Sequence, residues 1–211
     1  MTITPGTLAF YDHWADHGEE NPRSLMSQRF EASFAAGARV LDVGCGKGRD
    51  VVALLDMGFD AFGVEPHDAM RAQALARDPR APGRIAAASL PDLDHPFGGG
   101  FDAVVCSAVL MHLSPDLVPA SLCAMAAVLR PQGRVLMAVP EMLPTLLVDG
   151  IDPDGRQFAN HAPDRVAHLM AELGFAQLSC DELVASADTR WRVLLFARPS
   201  PVPKIRRLQT S

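Results

Sequence analysis

The sequence lacks any long apolar run and any paired cysteine motif. No stretch approaches the roughly 20 apolar residues that are needed to span a bilayer. The first five residues lack the basic region followed by an apolar stretch that is typical of a secretory signal. The four cysteines form no CxxC pair, which argues against metal-ligand spacing and against a disulfide framework. We therefore expect a cytoplasmic globular protein with no membrane partner and no metal.

Positive charge is also scarce. The chain has 19 Lys and Arg against 25 Asp and Glu, a net charge of -6, whereas a non-specific nucleic-acid surface needs clustered basic residues. The one basic cluster (Lys204, Arg206 and Arg207) follows a proline-rich stretch, and we expect residues 199–211 to form a flexible tail. No nucleic-acid partner is expected, and the oligomeric state is left open.

Strand and helix patterns alternate through most of the chain. Its 211 residues suffice for one well-buried core and are few for two domains. Short apolar runs predict strands, and helical periodicity predicts the helices between them. The strands fall at 39–43, 60–64, 84–87, 101–106 and 133–139, and the helices at 50–57, 68–77 and 114–130. Such alternation is typical of parallel crossovers and of a doubly wound α/β sheet.

The two ends of the chain have different patterns. The first 37 residues are helical in pattern, with Leu25, Met26, Phe30 and Phe34 at helical spacing, which predicts a packed face. Residues 141–162 are polar and irregular. A helix at 163–173 and strands near 176–179 and 190–197 follow, and they predict a terminal hairpin.

A glycine-rich loop follows the first predicted strand. Gly44, Gly46 and Gly48 remove side chains, so that the backbone can approach a ligand at the carboxyl end of the strand. Dinucleotide sites use the spacing GxGxxG, which this loop lacks. Asp42, just before the loop, would repel a pyrophosphate but suits a ligand with a cationic amine and a sulfonium. Glu65 ends the second strand about twenty residues after the loop, where an acid commonly binds ribose hydroxyls.

Four segments resemble the motifs of class I S-adenosylmethionine-dependent methyltransferases. They are Val40 to Gly48, Gly63 to Pro66, Phe101 to Leu113, and the turn from Leu129 to Arg134 into the fifth strand. The resemblance covers about residues 39–139. It implies a methyltransferase that uses S-adenosylmethionine. It also implies a Rossmann-like seven-stranded sheet in the order 3-2-1-4-5-7-6, with strand 7 antiparallel and helices on both faces.

The resemblance also assigns roles to individual residues. Contacts to S-adenosylmethionine are expected from Asp42, Gly44, Cys45, Gly46, Gly48, Glu65, Pro66, Met70, Ser89, Leu90, Cys106 and Ser107. The family's usual Asp is absent at Ser89-Leu90, and Met70 fits a core position as well as an adenine contact. His112 and Tyr11 are the candidate catalytic residues, and Arg156 and His161 the candidate acceptor contacts. For His112 the alternative is a core histidine, and for Arg156 and His161 it is a solvated loop side chain.

We expect one methyltransferase domain over residues 1–198. Residues 1–37 would form a helical lid and residues 141–162 an insertion on the acceptor side, and the two would close over the bound cofactor. The preferred acceptor is a small molecule that is methylated on O, N, S or another chalcogen. A DNA amino-methyltransferase is disfavoured, because Cys106-Ser107-Ala108-Val109 stands where those enzymes place Asn/Asp-Pro-Pro-aromatic. Two alternatives remain, namely a non-catalytic S-adenosylmethionine-binding module and a nicotinamide-dependent oxidoreductase.

Overall fold

A seven-stranded sheet forms the centre of the molecule. The structure, a computed structural model, describes residues 4–18, 24–184 and 188–199. The strand order is β3-β2-β1-β4-β5-β7-β6, and β7 is antiparallel to both of its neighbours while the other pairs are parallel. This confirms the predicted fold. The strands are β1 (Arg39–Val43), β2 (Asp60–Val64), β3 (Ile85–Ala86), β4 (Phe101–Ser107), β5 (Leu129–Met142), β6 (Ala176–Val184) and β7 (Thr189–Ala197).

Helices cover both faces of this sheet. They are α1 (Pro5–His17), α2 (Phe30–Ser33), α3 (Arg49–Asp56), α4 (Asp68–Arg77), α5 (Val118–Ala127) and α6 (Pro163–Glu172). Alternate residues of β1 point to opposite faces. Leu41 lies in the same apolar cluster as Leu122 of α5 and Val166 of α6, and Val40 lies in the cluster that contains Leu54 of α3 and Phe30 of α2. The short N-terminal helix α2 therefore belongs to the core and not to the expected lid.

Some predicted boundaries shift. The helix predicted from Ser114 begins at Val118, with no side-chain cap, and the Ser-Pro-Asp sequence precedes it as a turn. Strands β5 and β6 are longer than predicted, since β7 pairs with β5 from Arg134 to Met142 and with β6 over nearly its whole length. Leu25 is 42% exposed, whereas Met26, Phe30 and Phe34 are buried as expected.

Two further points concern the ends and the surface of the chain. The predicted flexible tail lies outside the described residues, apart from residue 199. None of the helices in the described ranges is long and apolar enough to cross a membrane.

The carboxyl ends of β1, β2 and β4 meet at one edge, and the glycine loop lies there. Backbone N–H groups of Gly44 and Cys45 donate to the carbonyl of Val64, over 2.9 and 3.0 Å, and so tie the loop to the end of β2. Gly48 then caps the start of α3 with a φ of +77°. This left-handed conformation favours glycine, so the third glycine serves the turn into α3.

Gly48→Ala should destabilise the fold more than Gly58→Ala. Both glycines have a positive φ, +77° and +83°, so each alanine pays about 1–2 kcal/mol for the left-handed backbone. A Cβ at Gly48 would also lie 3.1 Å from the Cβ of Ala74, whereas nothing lies within 4 Å of one at Gly58. Urea denaturation should show a further loss of about 1–3 kcal/mol for Gly48→Ala, as expected for overpacking. Equal losses of unfolding free energy in the two variants would mean that α3 and α4 can move apart at Gly48 without destabilising the fold.

Candidate active site

A cavity opens at the carboxyl edge of the sheet, beneath α1. It has an empty volume of about 880 Å³, part of which is open to solvent. The sheet side contributes ten lining residues, namely Val43, Gly44, Gly46, Glu65, Pro66, His67, Met70, Ala88, Ser89 and Leu90. The segment after β4 contributes Ser107, Ala108, Val109, His112 and Leu113, and the covering side contributes Thr4, Thr7, Tyr11 and Gln157.

Glu65 links the glycine loop to the start of α4. Its Oε2 accepts a hydrogen bond from the backbone of Gly46 over 2.9 Å, and its Oε1 accepts from the backbone of His67 over 2.8 Å. Burial raises the pKa of Glu65, and the two backbone donors oppose this rise. A carboxylate has about four lone-pair sites, so two remain. Glu65 can therefore accept hydrogen bonds from a ribose diol in the cavity.

A second pocket lies across the glycine loop from this cavity, and its charged residues are Asp42, Arg49 and Asp50. Burial, and then the nearby carboxylate of Asp50, raise the pKa of Asp42 well above its usual range. The Nε of Arg49 lies 3.4 Å from Asp50 Oδ1. A ligand ammonium would relieve the repulsion between the two carboxylates. The pocket thus suits the amino-acid end of a ligand that carries both an ammonium and a carboxylate.

The hydrogen bonds of His112 place a hydrogen on one of its two ring nitrogens. Its Nδ1 lies 2.9 Å from the carbonyl oxygen of Gln157, which can only accept, so Nδ1 carries the hydrogen. Its Nε2 lies 2.7 Å from the Tyr11 hydroxyl, which therefore donates to it. Burial lowers the pKa of His112, and burial raises the pKa of Tyr11 to about 12. The result is a neutral imidazole whose basic nitrogen faces the cavity.

Helix α1 is attached to three different parts of the site. Asp12 approaches His67 at the start of α4, with 3.3 Å between Oδ1 and Nε2. Lys47 of the glycine loop donates to the carbonyl of Gly18 over 2.9 Å. The guanidinium of Arg156 lies 4.4 Å from the ring centroid of Phe10. The two segments expected to form a lid are thus in contact with each other, and their opening and closing stay a prediction.

Four of the residues predicted for the site do not line either pocket. Cys106 is buried within β4, and Gly48 serves the turn into α3. Arg156 pairs with Asp152 over 2.7 Å and with Asp154 over 3.0 Å. His161 Nε2 bonds to the carbonyls of Leu110 and Leu113, over 2.8 and 3.1 Å. Because their polar groups serve the protein itself, the structure assigns Arg156 and His161 to holding loops, in place of the expected acceptor contacts.

Other residues at the site had no role in the sequence analysis. Asp50 follows the glycine loop and would have been found by extending that motif. Thr7 lies one helical turn before Tyr11, a spacing that places both on one face of α1. Gln157 bonds to His112 through its backbone, for which the side-chain pattern gives no signal.

Comparison with known proteins identifies the family. A family model described as a methyltransferase domain matches residues 40–133. A ubiquinone biosynthesis O-methyltransferase of Xanthomonas axonopodis pv. citri is 31% identical over 196 residues, which cover 85% of this chain and 80% of that protein. The chain belongs to the class I S-adenosylmethionine-dependent methyltransferases. An uncharacterized methyltransferase of Bacillus pumilus is 28% identical over 152 residues, and the match spans 62% of this methyltransferase and 65% of that relative.

Solved structures share the fold of this methyltransferase. Magnesium protoporphyrin IX methyltransferase from Synechocystis, with bound S-adenosylhomocysteine, superposes with a TM-score of 0.65 at 19% identity, over 92% of this chain and 84% of that one. The 1,6-didemethyltoxoflavin-N1-methyltransferase of Burkholderia thailandensis gives 0.68 at 22% identity, over 90% and 84%. At these identities the likeness concerns the fold.

The residues of the methyltransferase site fit S-adenosylmethionine. A Cβ at Gly44 would lie 2.4 Å from Val109 Cγ2, and one at Gly46 would lie 3.4 Å from Met70 Cε. Side chains at these two positions would fill the passage that the cavity and the second pocket share. Glu65 would hold the ribose, and Met70 and Leu90, which also line the cavity, would contact adenine. The acidic pocket would hold the methionine end.

Proposed function

We propose that this methyltransferase methylates a hydroxyl, or another group that keeps its proton at neutral pH, on an uncharged small molecule. The carrying observation is the neutral His112, whose Nε2 faces the same cavity as Glu65 and the glycine loop. Methyl displacement needs alignment above all, and it needs a base only when the acceptor retains its proton. A neutral histidine whose Nε2 can exchange its bond with Tyr11 for one with the acceptor is suited to that second need.

In the proposed reaction, proton transfer and the exclusion of water are carried out by different residues of the chain. When bound, S-adenosylmethionine supplies a methyl group that is activated by its sulfonium. His112 Nε2 accepts the proton of the acceptor, while the Gln157 carbonyl holds the Nδ1 hydrogen and stabilises the resulting imidazolium. In the structure the Tyr11 hydroxyl is hydrogen-bonded to Nε2. This bond must break when the acceptor hydroxyl binds to Nε2. Helix α1 and residues 141–162 exclude water from the reaction.

Two observations support an uncharged hydroxyl acceptor. Among the described residues that line the cavity, none is Lys or Arg, and Arg156 is paired with Asp152 and Asp154. In addition, relatives from Xanthomonas that are about 30% identical are O-methyltransferases by name.

We expect S-adenosylhomocysteine to bind with micromolar affinity and NAD not to bind, as measured by titration calorimetry. Turnover should then be found with phenols and alcohols in a panel that also contains carboxylates, amines and thiols. Each assay should use the same donor concentration, and a reaction without acceptor corrects for hydrolysis. Tighter binding of NAD would reverse the assignment of the glycine loop. Binding of S-adenosylhomocysteine with turnover of carboxylates only would contradict the role given to His112.

A further inference from the structure

A chain of hydrogen bonds joins α1 to His112 at two points. Thr7 Oγ1 accepts from the backbone N–H of Gln157 over 2.8 Å. The carbonyl of the same residue accepts from His112 Nδ1 over 2.9 Å, and His112 Nε2 accepts from Tyr11 over 2.7 Å. Thr7 and Tyr11 are four residues apart on α1, so they lie on one face of it. The chain of bonds therefore begins and ends on the same helical turn.

The bond from Gln157 to Thr7 has one possible direction, because the backbone N–H can only donate and the Thr7 oxygen therefore accepts. The Thr7 and Thr4 hydroxyls lie 2.8 Å apart and share a further hydrogen bond. Thr4 also caps α1 by accepting from the backbone N–H of Thr7. The Gln157 N–H belongs to the peptide group before its Cα, and the Gln157 carbonyl belongs to the group after it. Thr7 therefore holds the backbone of Gln157 next to the peptide group that faces His112.

Thr7 has no substitute in these surroundings. The residue is only 2% exposed, so water does not readily take the place of its hydroxyl. The backbone folds back on itself between residues 150 and 158. There the Phe158 N–H donates to the carbonyl of Gly150 over 2.8 Å. The Phe158 N–H belongs to the same peptide group as the Gln157 carbonyl, so this bond holds the peptide group that faces His112. The position of the carbonyl that faces His112 is therefore set by its own loop and by Thr7 together.

We propose that Thr7 is a positioning residue for His112, which fixes the tautomer and the direction of the imidazole by holding the backbone of Gln157. Docking of α1 then assembles the base, since the same helix supplies Thr7 and Tyr11. The inference rests on the proposed function at one point, namely the transfer of a proton from the methyl acceptor to His112. The tautomer itself is measurable without any acceptor.

The first test is nitrogen-15 NMR of the histidine rings in the complex with S-adenosylhomocysteine. His112 is assigned by the signal that His112→Gln removes. Wild type and Thr7→Ser should show the hydrogen on Nδ1, because serine keeps the oxygen. Thr7→Val, which has nearly the same shape without the oxygen, should show a mixture of tautomers. A hydrogen on Nε2 in the wild type, or an unchanged tautomer in Thr7→Val, would overturn the proposal, whether or not an acceptor is ever found.

The second test is kinetic and uses a hydroxyl acceptor that the wild type methylates. Thr7→Val should lower kcat by roughly 10- to 100-fold, the range for a misplaced catalytic group, and leave the KM for S-adenosylmethionine within about twofold. Thr7→Ser should restore most of kcat. Glu31→Gln on the exposed side of α2, outside the segments that cover the site, is the surface control and should behave as wild type. Equal losses in Thr7→Ser and Thr7→Val would show that packing alone matters at this position.

The pH profile separates positioning from a loss of fold. The ionisable groups around His112 are Tyr11 of α1 and Arg156 and Asp152 of the loop, and Glu65 acts on Tyr11 from the end of β2. None of these is changed in Thr7→Val. The acid limb of its kcat profile should therefore move relative to wild type, because the bond to the imidazolium is weakened. A lowered kcat with an unmoved acid limb would count against the proposal.

Discussion

His112→Gln should lower kcat for a hydroxyl acceptor by roughly 10²- to 10⁴-fold, the usual contribution of general acid–base catalysis. Glutamine retains hydrogen-bonding groups that can reach Gln157 and Tyr11 but cannot accept a proton at neutral pH. The dissociation constant of S-adenosylhomocysteine should change by less than about threefold, since the nucleoside contacts are on the other side of the cavity. Steady-state kinetics and titration calorimetry measure the two quantities separately.

The pH dependence of kcat should show that His112 acts in its neutral form. Burial lowers the pKa of His112 from its ordinary value of 6.5, so the neutral imidazole predominates at neutral pH, and kcat should fall as the pH is lowered, with a midpoint below that ordinary value. The exposed His168 of α6, 3.3 Å from Glu172, provides the matched control His168→Gln, which should leave kcat unchanged. A similar loss in His112→Gln with an acidic thiol, which is already ionised, would show that His112 does not act as a base.

The fold and the cofactor side of the site could be predicted because backbone geometry encodes them. A buried strand that ends in closely spaced glycines specifies a close approach of main chain to ligand, and Gly44 and Gly46 do line the cavity. The position of Glu65 follows from the length of one strand–helix–strand unit. Such features depend on local sequence and on the regular crossovers of a parallel sheet.

The acceptor side could not be predicted to the same extent, because it depends on which groups the polar side chains pair with in the folded protein. Arg156 has an acidic residue two and four positions before it, and in the folded loop its guanidinium pairs with both of them. His161 follows an irregular segment, and only the three-dimensional fold brings it beside the carbonyls of Leu110 and Leu113. Gln157 contributes through its backbone carbonyl and N–H, which every residue type except proline would supply.

Glu65→Gln is expected to weaken binding of S-adenosylhomocysteine by about 1.5–3 kcal/mol, the range for hydrogen bonds to a charged group. This corresponds to a roughly 10- to 150-fold higher dissociation constant. Both carboxylate oxygens already accept backbone N–H groups, of Gly46 and His67. A glutamine has one oxygen for these two donors, so its amide group would face an N–H and could no longer accept from the ribose on that side.

A binding loss alone would not distinguish the ribose contact from a loosened glycine loop, and an altered ligand does so. An S-adenosylhomocysteine analogue without the two ribose hydroxyls should bind wild type and Glu65→Gln with similar affinity, because the hydrogen bonds in question are absent from both complexes. If the variant weakens the analogue as much as the parent compound, the effect arises from the loop held through Gly46. Glu31→Gln on the exposed side of α2 is the matched control, and it should leave both affinities at the wild-type value. An unchanged affinity of Glu65→Gln for S-adenosylhomocysteine would remove Glu65 from the ribose site.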